Sequence, residues 1–416
     1  MTGPGGTATD GPVGGSSAGG ERLRVTLDVT AVPASPAGAG RYTMELAAAL
    51  GRRDDVDLVL LSRRGDGVRW RGLVPGAAGP TATGAGTPAP VPGPTVIEAA
   101  PVRRPVRLAW EQLVLPRLLA DVAPAVHHGP HYTMPERARV PVVVTVHDVT
   151  FFDHPEWHER SKVLLFRRAI RQACRRAAAV VCVSAYTAAR LVEVCDVSVP
   201  LVVAPHGVDH RRFRPEEPAP GHDGAAVRAL GLDPDHPLVV FVGTLEPRKG
   251  VEVLAQAFDR VASAHPDAQL VLAGQPGWGI EHTGRVLAAA RHPDRVHRTG
   301  YVPDDAVPAL LRRAAVVAYP AREEGYGLPA LEALACGAPL VTTAGTAMAE
   351  MAEGAAVLTP PGDVDALAEA LGAALAGADP AAPARRARGL AVAASRTWED
   401  SAERHVAAYR RAAGVA

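Results

Sequence analysis

Two α/β domains of the doubly wound, Rossmann-like kind, facing across a cleft, are what the sequence predicts, and three observations predict them. Short β-branched runs alternate with longer helix-patterned stretches from residue 22 onward. The alternation closes near residue 207 and begins again at 237. A chain of 416 residues also exceeds one ordinary core, so two domains of about 150 to 200 residues are the natural partition. The expected units are 21–206 and 207–395, with a closing segment at 396–416.

In the first half, RLRVTLDV (22–29) reads as a buried strand and SPAGAGRYTMELAAALGRR (35–53) as a glycine loop feeding a helix, in which Gly38 and Gly40 let backbone approach a ligand. VDLVLLS (56–62) is a second strand, and 64–101, rich in Gly, Pro, Ala and Thr, reads as a long loop. A helix is expected at about 107–120, kinked at Pro116. AVHHGPHYTMP (125–135) ends a short strand in His127, His128 and His131. Zinc is a poor reading of these three, because no carboxylate stands at ligand spacing and strand alternation sends adjacent histidines to opposite faces. A loop lining an acceptor pocket is the better one.

PVVVTVHDVTFFDHPEWH (141–158) carries a continuous apolar strand into His147 and Asp148, and parallel sheets place ligands at such strand ends. In 159–181, Val163, Phe166, Ile170, Ala173 and Ala177 form an apolar stripe, with Lys162 and several arginines on the polar face. That face reads first as solvated, and secondly as a peripheral contact with anionic lipid at the inner face of a membrane. VCVSAYTAARLVEV (181–194) repeats strand then helix with Ser184 as N-cap, and VPLVVAPHGVD (199–209) closes the half.

The second half repeats the pattern: PLVVFVG (237–243) as strand, TLEPRKG (244–250) as basic loop, 251–264 as helix and AQLVLAG (268–274) as strand. Arg248 and Lys249 before a helix start have the type and position of a diphosphate clamp. RVHRTGYVPDDAVPALLRRA (295–314) gives a strand, a turn and a helix capped by Asp304. PAREEGYGLPALEALACGAPLV (320–341) then reads as a strand end, a loop with Gly325 and Gly327, and a helix opened by Pro329 and stopped by Gly337. Glu324 and Glu332 place two carboxylates beside that helix start. N–H groups near Ala330 and Leu331 can receive a phosphate, and carboxylates bind vicinal diols, so a nucleotide sugar fits.

Composition removes other classes. Lys plus Arg and Asp plus Glu balance at 44 each, which argues against a nucleic-acid footprint. Four cysteines show no metal spacing and read as reduced core thiols. Residues 1–20 read as a disordered tail rather than a signal peptide, and no apolar run nears the roughly 18 residues that span a bilayer, so a cytoplasmic protein is expected.

The stretches 141–158, 201–209, 241–250 and 320–341 together resemble the retaining GT-B glycosyltransferases of family 4 (group 1), most of all the bacterial branch with mannosyl- and rhamnosyltransferases. The resemblance covers nearly the whole chain from residue 21. It implies GT-B architecture, a last helix crossing back to the first domain, and transfer of a hexosyl group from a nucleoside-diphosphate sugar with retention. No metal and no cofactor beyond that donor are implied, and the acceptor is a saccharide, a lipid-linked sugar or a small molecule. His147 then lies against the transferred sugar and Glu324 holds it, as catalytic-site residues. Gly38 and Gly40, with Arg41 a further candidate, face the diphosphate and the acceptor. Arg248 and Lys249 face the diphosphate, Tyr301 and Val302 the base, and Gly325, Tyr326, Gly327, Leu328 and Glu332 complete the donor site. Thr244 stands where many members carry Arg, and Arg248 is the candidate to supply that charge. A nucleotide-sugar epimerase of the same architecture and a non-catalytic nucleotide-sugar-binding protein are the alternatives.

Overall fold

The computed structural model describes residues 22–36, 38–74, 76, 93–277 and 279–415. Expected features at 1–20 and 77–92 lie outside these residues. Two sheets, each parallel throughout, organise the chain. The first holds β1 (Leu23–Asp28), β2 (Val56–Arg63), β3 (Thr95–Ala100), β4 (Val126–Gly129), β5 (Val142–Val146), β6 (Ala179–Cys182) and β7 (Leu201–Val203) in the order 3-2-1-4-5-6-7. The second holds β8 (Leu238–Val242), β9 (Gln269–Ala273), β10 (Val296–Gly300), β11 (Ala314–Tyr319), β12 (Leu340–Thr343) and β13 (Val357–Thr359) in the order 10-9-8-11-12-13.

Both orders reverse beside their first strand, and ligands of open parallel sheets bind at such a switch point, outside the strand C-termini. β5, VVVTV, is buried at every position, as a strand covered by helices on both faces must be. The helix Arg160–Arg176 buries the expected stripe of Val163, Phe166, Ile170 and Ala173. All four cysteines are free and buried.

Several expectations change. The stretch 64–101 is not only loop: it contains the helix Gly67–Leu73, whose Trp70 is fully buried, and the edge strand β3. The single helix at 107–120 is two, Arg104–Leu113 and Leu115–Val122, because Pro116 fits the first turn of a new helix better than the middle of an old one. Gly38 and Gly40 lie in the first turn of the helix Gly38–Gly51, not in a loop before it. Asp304 caps no helix, since the next one begins at Val307 with Ala306 before it.

His127 and His128 do not line an acceptor loop. Both are fully buried in β4 and point to opposite faces of the sheet. Nδ1 of His127 is 3.0 Å from the Thr26 hydroxyl. His128 joins Thr145 through Nε2 (2.8 Å) and Tyr409 through Nδ1 (2.7 Å). Tyr409 belongs to the helix Trp398–Ala413, which packs on β4 to β7 and on the helix Gly38–Gly51. Its His405 meets the Tyr42 hydroxyl at 2.8 Å, and that hydroxyl meets Thr145 at 2.8 Å. The chain thus returns from the second sheet to finish the first.

Candidate active site

The C-terminal edges of β5 and β8 face each other across a cavity of about 420 Å³. His147 follows β5 directly. Its Nε2 lies 2.8 Å from the Pro130 carbonyl oxygen, which can only accept, so Nε2 carries the hydrogen and Nδ1 is the acceptor in the neutral ring. Burial holds its pKa below the usual histidine value, against the opposing pull of that carbonyl and of Asp148. Tyr132, in left-handed backbone at φ 63°, presents its ring edge-on to His147 and donates its hydroxyl to Asp148 at 3.0 Å.

On the other wall the loop after β8 turns back through a short 3-10 segment, Pro247–Lys249, and Gly250 at φ 66°. A Cβ at Gly250 would overlap the Pro320 carbonyl, so only glycine lets this loop close on the one after β11. The Arg322 N–H to Arg248 carbonyl bond, 2.8 Å, stitches the two together. Lys249 and Arg248 therefore converge on one carboxylate oxygen of Glu324, Lys249 Nζ in close contact and Arg248 Nη1 at 3.1 Å. Glu246 holds Arg248 from behind, accepting from Nε at 2.9 Å.

Burial alone would raise the pKa of Glu324, but Lys249 and Arg248 outweigh it and hold the group below the ordinary carboxylate value. Asp148 shows the same balance, with Arg248 and the Thr150 hydrogen bonds overcoming burial. Glu332 does not. Burial pushes it up to about 7, with Arg41 and Arg212 offsetting only part of the cost and Asp304 and Glu45 adding to it.

Of the residues expected at the site, His147, Thr244, Arg248, Lys249, Tyr301, Val302, Glu324 and Glu332 all line this cavity, with Gly38 and the run from Gly325 to Leu328. Gly40 does not: its Cα faces Pro36 and Pro33. Tyr301 is 56% exposed, a ring with a free face at the cavity wall. The N–H groups of Ala330 and Leu331 are occupied by the Gly327 carbonyl oxygen at 3.0 and 3.2 Å, which leaves earlier N–H groups of that turn for an anion.

Arg41, the further candidate beside the two glycines, lines the cavity as well, and what sequence reading missed is its pairing. Arg41 Nη2 bonds Asp304 Oδ1 at 2.9 Å across the cleft, and Arg212 lies 3.5 Å from the same oxygen. No local pattern pairs Arg41 with Asp304, because the two are 263 residues apart. Among the described residues, no group of three or more His, Cys, Asp or Glu side chains is arranged to hold a metal ion.

Comparison with known proteins agrees with this geometry. The model of the glycosyltransferase family 4 domain matches residues 36–212, and that of the group 1 glycosyl transferases matches 225–388. The chain belongs to the group 1, family 4 glycosyltransferases. O-antigen chain mannosyltransferase B of Escherichia coli is 28% identical over 76% of this chain and 80% of its own. D-inositol 3-phosphate glycosyltransferase of Mycobacterium avium is 34% identical over 50% of this chain and 48% of its own. Among solved structures, sucrose-phosphate synthase from Thermosynechococcus elongatus superposes with a TM-score of 0.71 at 22% identity, covering 94% of this chain and 98% of that one. Anabaena HepE in complex with UDP-glucose gives 0.68 at 17% identity, covering 93% and 100%. The fold of this glycosyltransferase is GT-B. Among the described residues, no helix is long and apolar enough to cross a membrane.

Proposed function

We propose that this glycosyltransferase moves a hexosyl group, mannosyl or rhamnosyl-like, from a nucleoside-diphosphate sugar to an acceptor hydroxyl with retention of configuration and without a metal. The observation that carries the reading is the convergence of Arg248 and Lys249 on Glu324 opposite His147, at the facing edges of the two sheets. The E. coli mannosyltransferase supports the sugar class.

In this reading the two cations are preset where negative charge builds on the leaving diphosphate, which is how electrostatic preorganisation lowers a barrier. Before the donor arrives Glu324 satisfies them. The diphosphate then takes over the cations, and the Glu324 carboxylate turns to the hydroxyls of the transferred sugar. His147, neutral and with Nδ1 as acceptor, orients a sugar hydroxyl and supports the developing positive charge through its lone pair. Glu332 holds the ribose diol, and Tyr301 and Val302 flank the base. The acceptor proton leaves with the departing phosphate, so no protein base is required. The acceptor is a saccharide, a lipid-linked sugar or a small molecule read by the loops of the first domain.

Thermal stabilisation by GDP, UDP, dTDP and their sugars, with Glu332→Ala as control, tests the donor site. A selective shift lost in the variant is expected. Product analysis then separates the alternatives: turnover only with an acceptor is expected, whereas acceptor-free formation of an epimer, or binding with no turnover, would overturn the reading.

A further inference from the structure

The helix Ala185–Val194 begins in the first domain, yet the polar groups of its first turn are directed at the second. Ser184, its N-cap, accepts the Thr187 N–H at 3.0 Å and sends its own hydroxyl to the Gly325 carbonyl at 2.8 Å. Thr187 Oγ1 is 3.2 Å from the same carbonyl oxygen. Both residues are 1% exposed, so their hydroxyls are shielded from bulk water. The Tyr186 hydroxyl donates to Glu323 at 2.9 Å. Farther out, the Glu350 carboxylate accepts the N–H groups of Ala185 and Tyr186 at 2.9 and 2.6 Å, placing a negative charge at the positive end of the helix.

Glu323 and Gly325 are the two neighbours of Glu324, so this turn grips the loop on either side of that carboxylate. Thr187 Oγ1 is also 3.4 Å from the His147 carbonyl oxygen, and a Cβ at Gly325 would overlap that oxygen. One turn of helix therefore refers to both His147 and Glu324, which come from different domains.

We propose that the first turn of the helix Ala185–Val194 is a positioning element that sets Glu324 against His147 when the domains close, with Ser184, Tyr186 and Thr187 as positioning residues and Glu350 as the outer anchor. The inference rests on the functional reading above for what the two residues do, though not for the clasp itself. Misplacing a reacting group by about 1 Å can cost on the order of 100-fold in rate, so the clasp acts on turnover more than on donor binding.

Tyr186→Phe/Thr187→Val removes two hydroxyls and keeps both shapes, and Thr187→Ser in place of the valine restores one. Hydrogen exchange of a peptide spanning 321–328 is expected to quicken in the double variant while β5 and β8 stay protected. With the nucleotide sugar that the thermal screen selects, kcat is expected to fall tenfold or more with KM and the thermal shift by its nucleoside diphosphate unchanged, and the serine variant is expected to recover part of kcat. Unchanged exchange would overturn the proposal, as would a KM that rises together with loss of the thermal shift. If the wild-type protein turns over no nucleotide sugar, the functional reading falls, and the exchange result still decides the clasp.

Discussion

Two buried polar regions of this molecule meet burial in opposite ways. In the first sheet and the helix packed on it, His127, His128 and His405 are enclosed with no carboxylate beside them, and burial leaves them neutral: His127 falls to about 3, His405 to about 4 and His128 well below its usual value. At the mouth of the second sheet, Glu324, Arg248 and Lys249 are enclosed together, and mutual attraction keeps Glu324 and Arg248 ionised. Depth does not decide the charge state; the neighbours do. Titratable residues gathered by the fold thus become scaffold in one case and a charged site in the other.

The largest effect that could break this comparison is acid lability. The three histidines take up protons readily only when unfolded, where their pKa is near 6.5, so the stability they allow is present above that pH and is lost as pH falls below it. Each contributes up to about 1.4 kcal/mol per pH unit, several kcal/mol together at pH 5.5, and a sharp drop in the urea midpoint between pH 7 and 5.5 is expected. A flat profile would mean that these rings are hydrated. Next comes Lys249→Ala, which removes a cation from the proposed leaving-group site and should lower kcat by about 10² to 10³, with a fall in melting temperature because Glu324 loses one of its two buried partners, measured by steady-state kinetics and melting.

Third is Tyr409→Phe, which leaves the buried Nδ1 of His128 without a partner. A loss of about 1 to 3 kcal/mol in urea unfolding is expected, with donor binding untouched. The smallest and sharpest test concerns Glu332, which behaves like neither region. With its pKa near 7 it is protonated below that pH and ionised above it. Since the ionised form accepts from a ribose diol, nucleotide affinity should rise with pH, about tenfold per unit below 7, and level off above. Titration calorimetry at pH 6 and 8 should show this for the wild type and a flat profile for Glu332→Gln.

The fold was legible because apolar strand runs such as VVVTV and LVVFV are local signals. The helices His222–Ala229 and Ala382–Ala394 were not, since runs of Ala, Gly and Arg have little apolar periodicity until a partner surface exists. At the site, residues bound into contiguous motifs, EPRKG and EEGYGLPALE, were read onto the cavity that they do line. What escaped was pairwise and distant: Arg41 with Asp304, Tyr186 with Glu323, Glu350 with the start of a helix 164 residues before it. Single residues of this kind carry no pattern, and only the folded chain supplies the partner. The histidines at 127 and 128 failed for a related reason, because their meaning was set by Thr26, 101 positions before His127, and by Tyr409, 281 positions beyond His128.

That return of the helix Trp398–Ala413 to the first sheet has a consequence for how the protein is made. β7 is complete once residue 203 is synthesised, but Tyr42 and His128 find their partners in the last helix only after residues 398–413 emerge. At ordinary rates of synthesis of about 5 to 20 residues per second, the first sheet waits roughly 10 to 40 s with the part of one face over β4 to β7 still lacking that helix. Until that helix arrives the nascent chain exposes the surface it will cover, and a chain cut before residue 398 is expected to keep that surface exposed and to lose the Tyr42–His405 and His128–Tyr409 bonds.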